Sequence, residues 1–253
     1  MNRIEILRRH IAEKRAVKVI AGIGNFNMES IKKVVCAAEQ GGASAVDVAY
    51  SEEIIRMAKE YTTLPVMVSS IVPQELASAV KMGADAIEVG NYDVLYRNGV
   101  RVTAVEILDI VNKTLELLNG ENTFISVTVP GHISVDEQIA LAKQLEELNI
   151  DLIQTEGAAT VTAQNGGARG LLETAQVSIA NTVELSRNVE VPIMTASGIT
   201  TTTAPLAFAA GASAVGVGSS VNKLDSVIAM IAVVRTLVEA ASKNVETKEL
   251  LHK

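Results

Sequence analysis

The chain has 253 residues, 48% of them hydrophobic but only 3% aromatic, with no Trp. That is the usual size of one (β/α)₈ barrel, and the composition suits Val, Ile, Leu and Ala packed on both faces of a parallel sheet. The net charge of -7, from 22 basic against 29 acidic residues, excludes nucleic acid as the main partner. No apolar run approaches the roughly 18 residues that a membrane span needs, and the N-terminus lacks an apolar leader core. A soluble protein of a reducing, cytoplasmic compartment is expected.

Residues 1–253 read as a single domain, with 1–14 an N-terminal helix and 243–253 a polar tail. Strands are predicted at 17–22, 45–49, 66–69, 86–90, 125–129, 152–155, 193–196 and 214–217, with helices between them. Strict alternation of strand and helix predicts a parallel sheet. The fold class is therefore α/β, a single (β/α)₈ TIM barrel of the phosphate-binding type. Asn27 is placed to cap a helix beginning at Met28. Ser134-Val135-Asp136-Glu137 is a capping box, after which Val135, Ile139, Ala142 and Leu145 share one helix face. The single cysteine, Cys36, excludes an intramolecular disulfide, and its helical, apolar setting suggests core packing. His10, His132 and His252 are scattered, so no His-based metal site is expected.

One phrase recurs along the chain. It reads Gly42-Ala43-Ser44-Ala45-Val46-Asp47-Val48, then Gly83-Ala84-Asp85-Ala86-Ile87-Glu88-Val89, then Gly211-Ala212-Ser213-Ala214-Val215-Gly216-Val217, with a looser copy from Asn149 to Thr155. These phrases enter strands two, four, eight and six. Asp47, Glu88, Gln154 and Gly216 hold the same place in each. One interior layer of an eight-stranded barrel takes its side chains from alternate strands, so these four are expected to face the axis. Period-two alternation in strand one puts Lys18 inward as well, with Val17, Val19 and Ala21 toward the helices.

A Lys, an Asp and a Glu inside one barrel are costly unless paired. One chemistry they support is an amine, Lys18, that forms a Schiff base with a carbonyl substrate, flanked by carboxylates that move protons. The alternative is a structural ion-pair network. Further polar residues fall at strand exits, where barrel enzymes place their sites. Glu156 shares a strand face with Gln154 and joins the catalytic candidates. Asn25, Asn91, Asp93 and His132 are substrate-binding candidates, whose plainer role is a loop cap or turn. Residues 157–170 form a long connection rich in Gly, Ala and Thr, suited to a closing lid with Gly166-Gly167 as its flexible part, or to a surface insertion.

The last two strand exits are Thr195-Ala196-Ser197-Gly198 and Val217-Gly218-Ser219-Ser220. Small residues there leave backbone N–H groups uncovered, and a helix start after Gly218 favours an anion. Ser197, Gly198, Gly218 and Ser219, with Gly157 at the neighbouring exit, are the phosphate-binding candidates. The expected ligand is a small phosphorylated metabolite. No cofactor is predicted; a flavin and a homo-oligomer are left open.

Several segments resemble one family: KVIAGIGNFN at 18–27, IEVGNYDVLYRNG at 87–99, SVTVPGHISVDEQIALA at 126–142, DLIQTEGAA at 151–159, and the stretch from Met194 to Ala240. The family is that of the hypothetical chloroplast reading frame twenty-three proteins of cyanobacteria and algal plastids. The resemblance implies a phosphate-binding barrel in the cytosol or, in an alga, the plastid stroma, but no particular reaction. It favours Lys18, Asn25, Glu88, Asn91, Asp93, Gln154, Glu156, Ser197, Gly198, Gly218 and Ser219. The family often has His directly after the Pro of SVTVP, whereas Gly131 precedes His132 here. The leading expectation is aldolase- or synthase-type chemistry centred on Lys18. The alternatives are a proton-transfer isomerase using Asp47 and Glu88, and a non-catalytic barrel that senses a metabolite or binds a protein.

Overall fold

Eight short apolar strands pair in parallel and close on themselves in the order β1-β2-β3-β4-β5-β6-β7-β8. The computed structural model describes residues 3–90, 92, 95–96, 98–157 and 163–251, the last eight in backbone only. The strands are β1 Ala16–Ile20, β2 Ala45–Ala49, β3 Val66–Ser70, β4 Ala86–Val89, β5 Phe124–Val129, β6 Leu152–Thr155, β7 Ile193–Thr195 and β8 Ala214–Val217. The helices are α1 Arg3–Ala12, α2 Met28–Gly41, α3 Glu52–Tyr61, α4 Pro73–Lys81, α5 Ala104–Leu118, α6 Val135–Glu147, α7 Gly167–Asn188, α8 Ala204–Ala209, α9 Ser219–Asn222 and α10 Val227–Leu251. This is the (β/α)₈ TIM barrel read from the sequence.

The recurring phrase has a physical basis. Gly42, Gly83 and Gly211 all have positive φ, as does Asn149 in the looser copy, so each ends a helix in the left-handed region that Gly and Asn tolerate best. The residue two places on then clamps the preceding strand. Ser44 N–H donates to the Val17 carbonyl at 2.8 Å, Asp85 N–H to Val66 at 2.9 Å, Asp151 N–H to Ile125 at 3.0 Å and Ser213 N–H to Ile193 at 2.8 Å. In three of the four, the side chain also accepts the N–H of the same strand residue, at 3.0 Å for Ser44 and 2.9 Å for Asp85 and Asp151. The repeat therefore sets strand entry and register at the same corner of successive units.

Packing separates into two layers. The flanking Val46, Val48, Ile87 and Val89 belong to the large core between sheet and helices, as do Val17, Val19 and Ala21. Inside the barrel, one residue from each strand forms an apolar floor: Ala16, Ala45, Met67, Ala86, Phe124, Leu152, Met194 and Ala214. Leu7 and Ile11 of α1 close it from below. Above the floor the interior becomes polar.

Local differences from the expected elements are few. β1 ends at Ile20, and Gly22 lies beyond it with φ +108°, so the turn starts earlier than the apolar pattern suggested. Both expected caps form: Asn27 accepts from Ser30 N–H at 3.0 Å, and the Ser134–Glu137 box is complete. Val135, however, is 44% exposed; Gln138, Leu141, Ala142 and Leu145 make the buried face of α6. Cys36 is only partly buried. α7 begins at Gly167, so residues 167–170 form its first turn. The polar stretch from residue 243 continues α10 as far as Leu251.

Candidate functional site

Lys18, Asp47, Glu88 and Gln154 meet at the barrel axis, as the repeat alignment required. Lys18 Nζ lies 2.5 Å from Glu88 Oε2 and 3.7 Å from Asp47 Oδ2. It also lies 3.7 Å from Met67 Sδ. Gln154 Nε2 donates to Glu88 Oε1 at 2.9 Å and to Thr128 Oγ1 at 3.0 Å. Ser126 Oγ donates to Glu88 Oε2 at 3.0 Å. Ser69 Oγ lies 2.7 and 2.9 Å from the two Asp47 oxygens. Lys18 and Glu88 have no solvent exposure and Asp47 has 1%. Gly216 supplies the fourth place of the layer: a Cβ there would stand 3.0 Å from Ala196 Cβ and 3.2 Å from Gln154 Oε1.

Ser69, Ser126 and Thr128 were not singled out in the sequence. Their signal is the inward period-two position on β3 and β5, and small hydroxyls do not stand out among apolar neighbours. Burial pushes the Asp47 carboxyl from its ordinary 3.8 up to about 7; Lys18 pulls it down, Glu88 pushes it up, and Ser69 and Lys18 hydrogen bonds lower it. A carboxyl titrating near neutrality exchanges a proton readily at working pH.

The exits of β7 and β8 lie side by side. Ser197 and Gly198 both adopt left-handed backbone, φ +71° and +73°. Gly198 is required there, because a Cβ would fall 2.2 Å from the Thr174 carbonyl oxygen of α7. Ser178 Oγ donates to the Ser197 carbonyl at 2.8 Å, which ties this turn to α7. Ser220 Oγ donates to the Ile199 carbonyl at 3.1 Å and joins the two loops. Asn222 Nδ2 donates to the Ile20 carbonyl at 3.0 Å, anchoring α9 to β1. Gly218 is open: a Cβ there would meet nothing closer than 3.7 Å.

A second polar cluster stands at the exits of β5 and β6. Tyr96 OH donates to Glu156 Oε1 in a very short hydrogen bond, and Gly131 N–H donates to the same oxygen at 3.0 Å. His132 Nδ1 lies 3.2 Å from Tyr96 OH. The Arg101 guanidinium stacks on the Tyr96 ring, 4.6 Å from its centroid. Burial, then the Arg101 charge, holds the His132 imidazole below its ordinary value, against the Val102 backbone and Glu137. Tyr96 was not singled out in the sequence, although it lies in the family-like segment 87–99; nothing local marks it as a partner of Glu156.

Asn25 organises its own turn, donating to the Ala21 carbonyl at 3.2 Å and accepting from Asn27 N–H at 3.1 Å. Gly157 is buried at the β6 exit. Asn91 and Asp93 lie outside the described residues. Of the expected lid, residues 158–162 also lie outside them, and Glu173 accepts from the backbone N–H groups of Gln164 and Asn165 at 2.9 and 3.2 Å. Among the described residues no group of three or more His, Cys, Asp or Glu is placed to hold a metal ion. No helix among them is long and apolar enough to cross a membrane.

A family model described as "Protein of unknown function (DUF561)" matches residues 1–247. The chain belongs to the DUF561 family. Its relatives include the "Uncharacterized protein ycf23" of Cyanophora paradoxa, 38% identical over 222 residues, covering 87% of this chain and 90% of the relative. The protein of the same description from Pyropia yezoensis is 35% identical over 219 residues, 87% and 80% of the two chains. The resemblance drawn from the motifs is thereby confirmed.

Solved structures similar in fold include the 3-hexulose-6-phosphate synthase of Salmonella typhimurium, with TM-score 0.64 and 13% identity over 90% of this chain and 99% of that one. The (S)-3-O-geranylgeranylglyceryl phosphate synthase of Thermoplasma acidophilum, solved with sn-glycerol-1-phosphate, has TM-score 0.63 and 14% identity over 96% and 99%. At these identities the likeness is one of fold.

Proposed function

We propose that this chain binds a small phosphorylated metabolite at the C-terminal mouth of the barrel and catalyses proton transfer on it. The phosphate is assigned to Ser197-Gly198 and Gly218-Ser219, with Gly157 beside them. The observation that carries the reading is the vertical order of the interior. An apolar floor closes the bottom, a paired Lys18–Glu88–Asp47 array lies above it, and two adjoining small-residue loops stand at the top. Backbone N–H groups and a helix start suit a phosphate, and a carboxyl held near neutrality suits acid–base work. Two proteins of similar fold, a hexulose-phosphate synthase and a prenylglyceryl phosphate synthase solved with sn-glycerol-1-phosphate, support a phosphorylated ligand by analogy.

The array favours proton transfer over a Schiff base. An amine nucleophile must present its lone pair to a carbonyl carbon, whereas Lys18 Nζ is taken up by Glu88 at 2.5 Å, with Asp47 and Met67 each 3.7 Å away. Lys18 is assigned to balancing charge, Asp47 to exchanging the proton, and Glu88 and Gln154 to holding both in place. The proposed place of action is the cytosol, or the plastid stroma in an alga.

The test has two arms. Calorimetry with inorganic phosphate and sn-glycerol 1-phosphate should detect binding, and Gly218→Asp should abolish it by placing a carboxylate where the anion sits. Unchanged affinity in that variant refutes the phosphate assignment. A panel of phosphorylated aldehydes and ketones in D₂O should then acquire deuterium next to the carbonyl, and Asp47→Asn should stop the exchange. A borohydride adduct on Lys18 would instead establish the aldolase-type alternative.

A further inference from the structure

We infer that the side-chain carbonyl of Gln154 binds ligand: it accepts a hydroxyl carried on the carbon chain of the phosphorylated metabolite, and Gly216 is glycine so that this hydroxyl has room beside it. Gln154 is 3% exposed, and the orientation of its amide is fixed by what it faces. Nε2 donates to Glu88 Oε1 at 2.9 Å and to Thr128 Oγ1 at 3.0 Å. Turned over, the amide would set its oxygen against a carboxylate oxygen, two acceptors in contact. The carbonyl therefore points the other way. There Oε1 is a buried acceptor with no hydrogen-bond partner among the described residues. Such a group costs free energy in the folded chain unless a donor reaches it.

The surroundings select the kind of donor. A Cβ on Gly216 would stand 3.2 Å from Oε1, 3.0 Å from Ala196 Cβ and 3.3 Å from Ile20 Cδ1, so the carbonyl borders a notch whose other nearest atoms are carbon. A buried water needs at least two polar partners. A hydroxyl that arrives on a carbon chain needs only this one, and its carbons find apolar contact. Ile20 and Ala196 are buried, yet belong neither to the core between sheet and helices nor to the floor.

The height along the barrel fits the same ligand. Gly216 pairs with Lys18 in the β1–β8 register and lies two residues, about 7 Å, below Gly218. Ile20 spans that interval: a Cβ on Gly218 would be 3.8 Å from Ile20 Cβ, while Ile20 Cδ1 reaches the notch. Ile20 is also the most exposed of the three side chains, at 9% against 3% for Ala196 and Gln154, so it is the one that separates Oε1 from the mouth. A χ2 change carries its Cδ1 off the carbonyl. A phosphate ester held at Gly218 then brings a hydroxyl about two or three carbons along its chain to Oε1. The ligand class is a short hydroxylated phosphate ester, and Gln154 selects for the hydroxyl.

The inference rests on the phosphate assignment above, and the test separates the two. Calorimetry compares inorganic phosphate, n-propyl phosphate and sn-glycerol 1-phosphate, the last differing from the second only by its hydroxyls. In the wild type, sn-glycerol 1-phosphate should bind at least about tenfold tighter than n-propyl phosphate. Gly216→Ser places an internal hydroxyl beside Oε1, so the two esters should then bind within about twofold of each other, while inorganic phosphate keeps its wild-type affinity. Gly216→Ala crowds the notch without supplying a donor, so it should be less stable than Gly216→Ser in urea unfolding. Equal affinity for the two esters in the wild type, or discrimination that survives in Gly216→Ser, overturns the hydroxyl site and leaves the phosphate assignment standing. Gly216→Ala at least as stable as Gly216→Ser shows that Oε1 lacks no donor, and overturns it as well. Failure of the wild type to bind inorganic phosphate overturns the phosphate assignment and this inference with it.

Discussion

Replacing Asp47 by Asn removes the titrating carboxyl from the interior while keeping its shape and its acceptor for Ser69. Burial pushes this group from 3.8 to about 7. Below about 4 the carboxyl is neutral in both folded and unfolded chains and costs nothing. As pH rises toward 7, the unfolded chain releases the proton while the folded chain keeps it, so folding loses stability over that window. A rise of this size corresponds to on the order of 4 kcal/mol, fully expressed only above the folded-state value. Asn carries no such proton. The advantage of Asp47→Asn over the wild type should therefore grow by roughly 2–3 kcal/mol between about pH 5 and about pH 8. For a chain of this length that is a divergence in melting temperature of about 4–12 °C. Circular-dichroism melts of both proteins at the two pH values measure it, and taking the difference between proteins cancels the titrating groups that lie away from Asp47. A melting-temperature difference that does not change with pH would refute the elevated Asp47 value, and with it the assignment of Asp47 as the proton-exchanging group.

Lys18→Met should destabilise by about 3–5 kcal/mol, because the buried Glu88 and Asp47 carboxyl groups then lose their cation; Asp47→Asn in the same chain should recover part of this in denaturant titrations. Gly198→Ala should cost on the order of 1–3 kcal/mol, because a Cβ at φ +73° meets the Thr174 carbonyl at 2.2 Å. Urea unfolding measures that loss, and wild-type stability would show that the turn moves freely off α7. Ser178→Ala removes the 2.8 Å hydrogen bond to the Ser197 carbonyl and should cost about 0.5–1.5 kcal/mol. It should also weaken inorganic phosphate binding in calorimetry, whereas full affinity would separate the turn from the anion.

Much of the axis was legible because a repeated phrase carries register. Gly42, Gly83 and Gly211 mark equivalent corners, and the strand period of two then fixes which side chains face inward. Lys18, Asp47, Glu88 and Gln154 follow from that alone, as does the membership of one layer. The two adjoining loops after β7 and β8 were legible from small residues at the last two exits. Tyr96 was not, because its place depends on how the segment after β4 crosses toward the exits of β5 and β6, and no local periodicity encodes that crossing. His132 was singled out, but its partner was not, for the same reason.

By itself, then, the amino-acid order determined the barrel, its strand register and the inward-facing charges, since these depend on hydrophobic period and on turn residues a few positions apart. Only the tertiary structure decided how those charges are paired. Whether Lys18 meets a ligand or a carboxylate, and whether Asp47 holds its proton near neutrality, depend on distances between strands 29 or more positions apart in the chain and on exclusion of water by the apolar floor. Electrostatic free energies follow separation and desolvation in space, which closure of the barrel establishes.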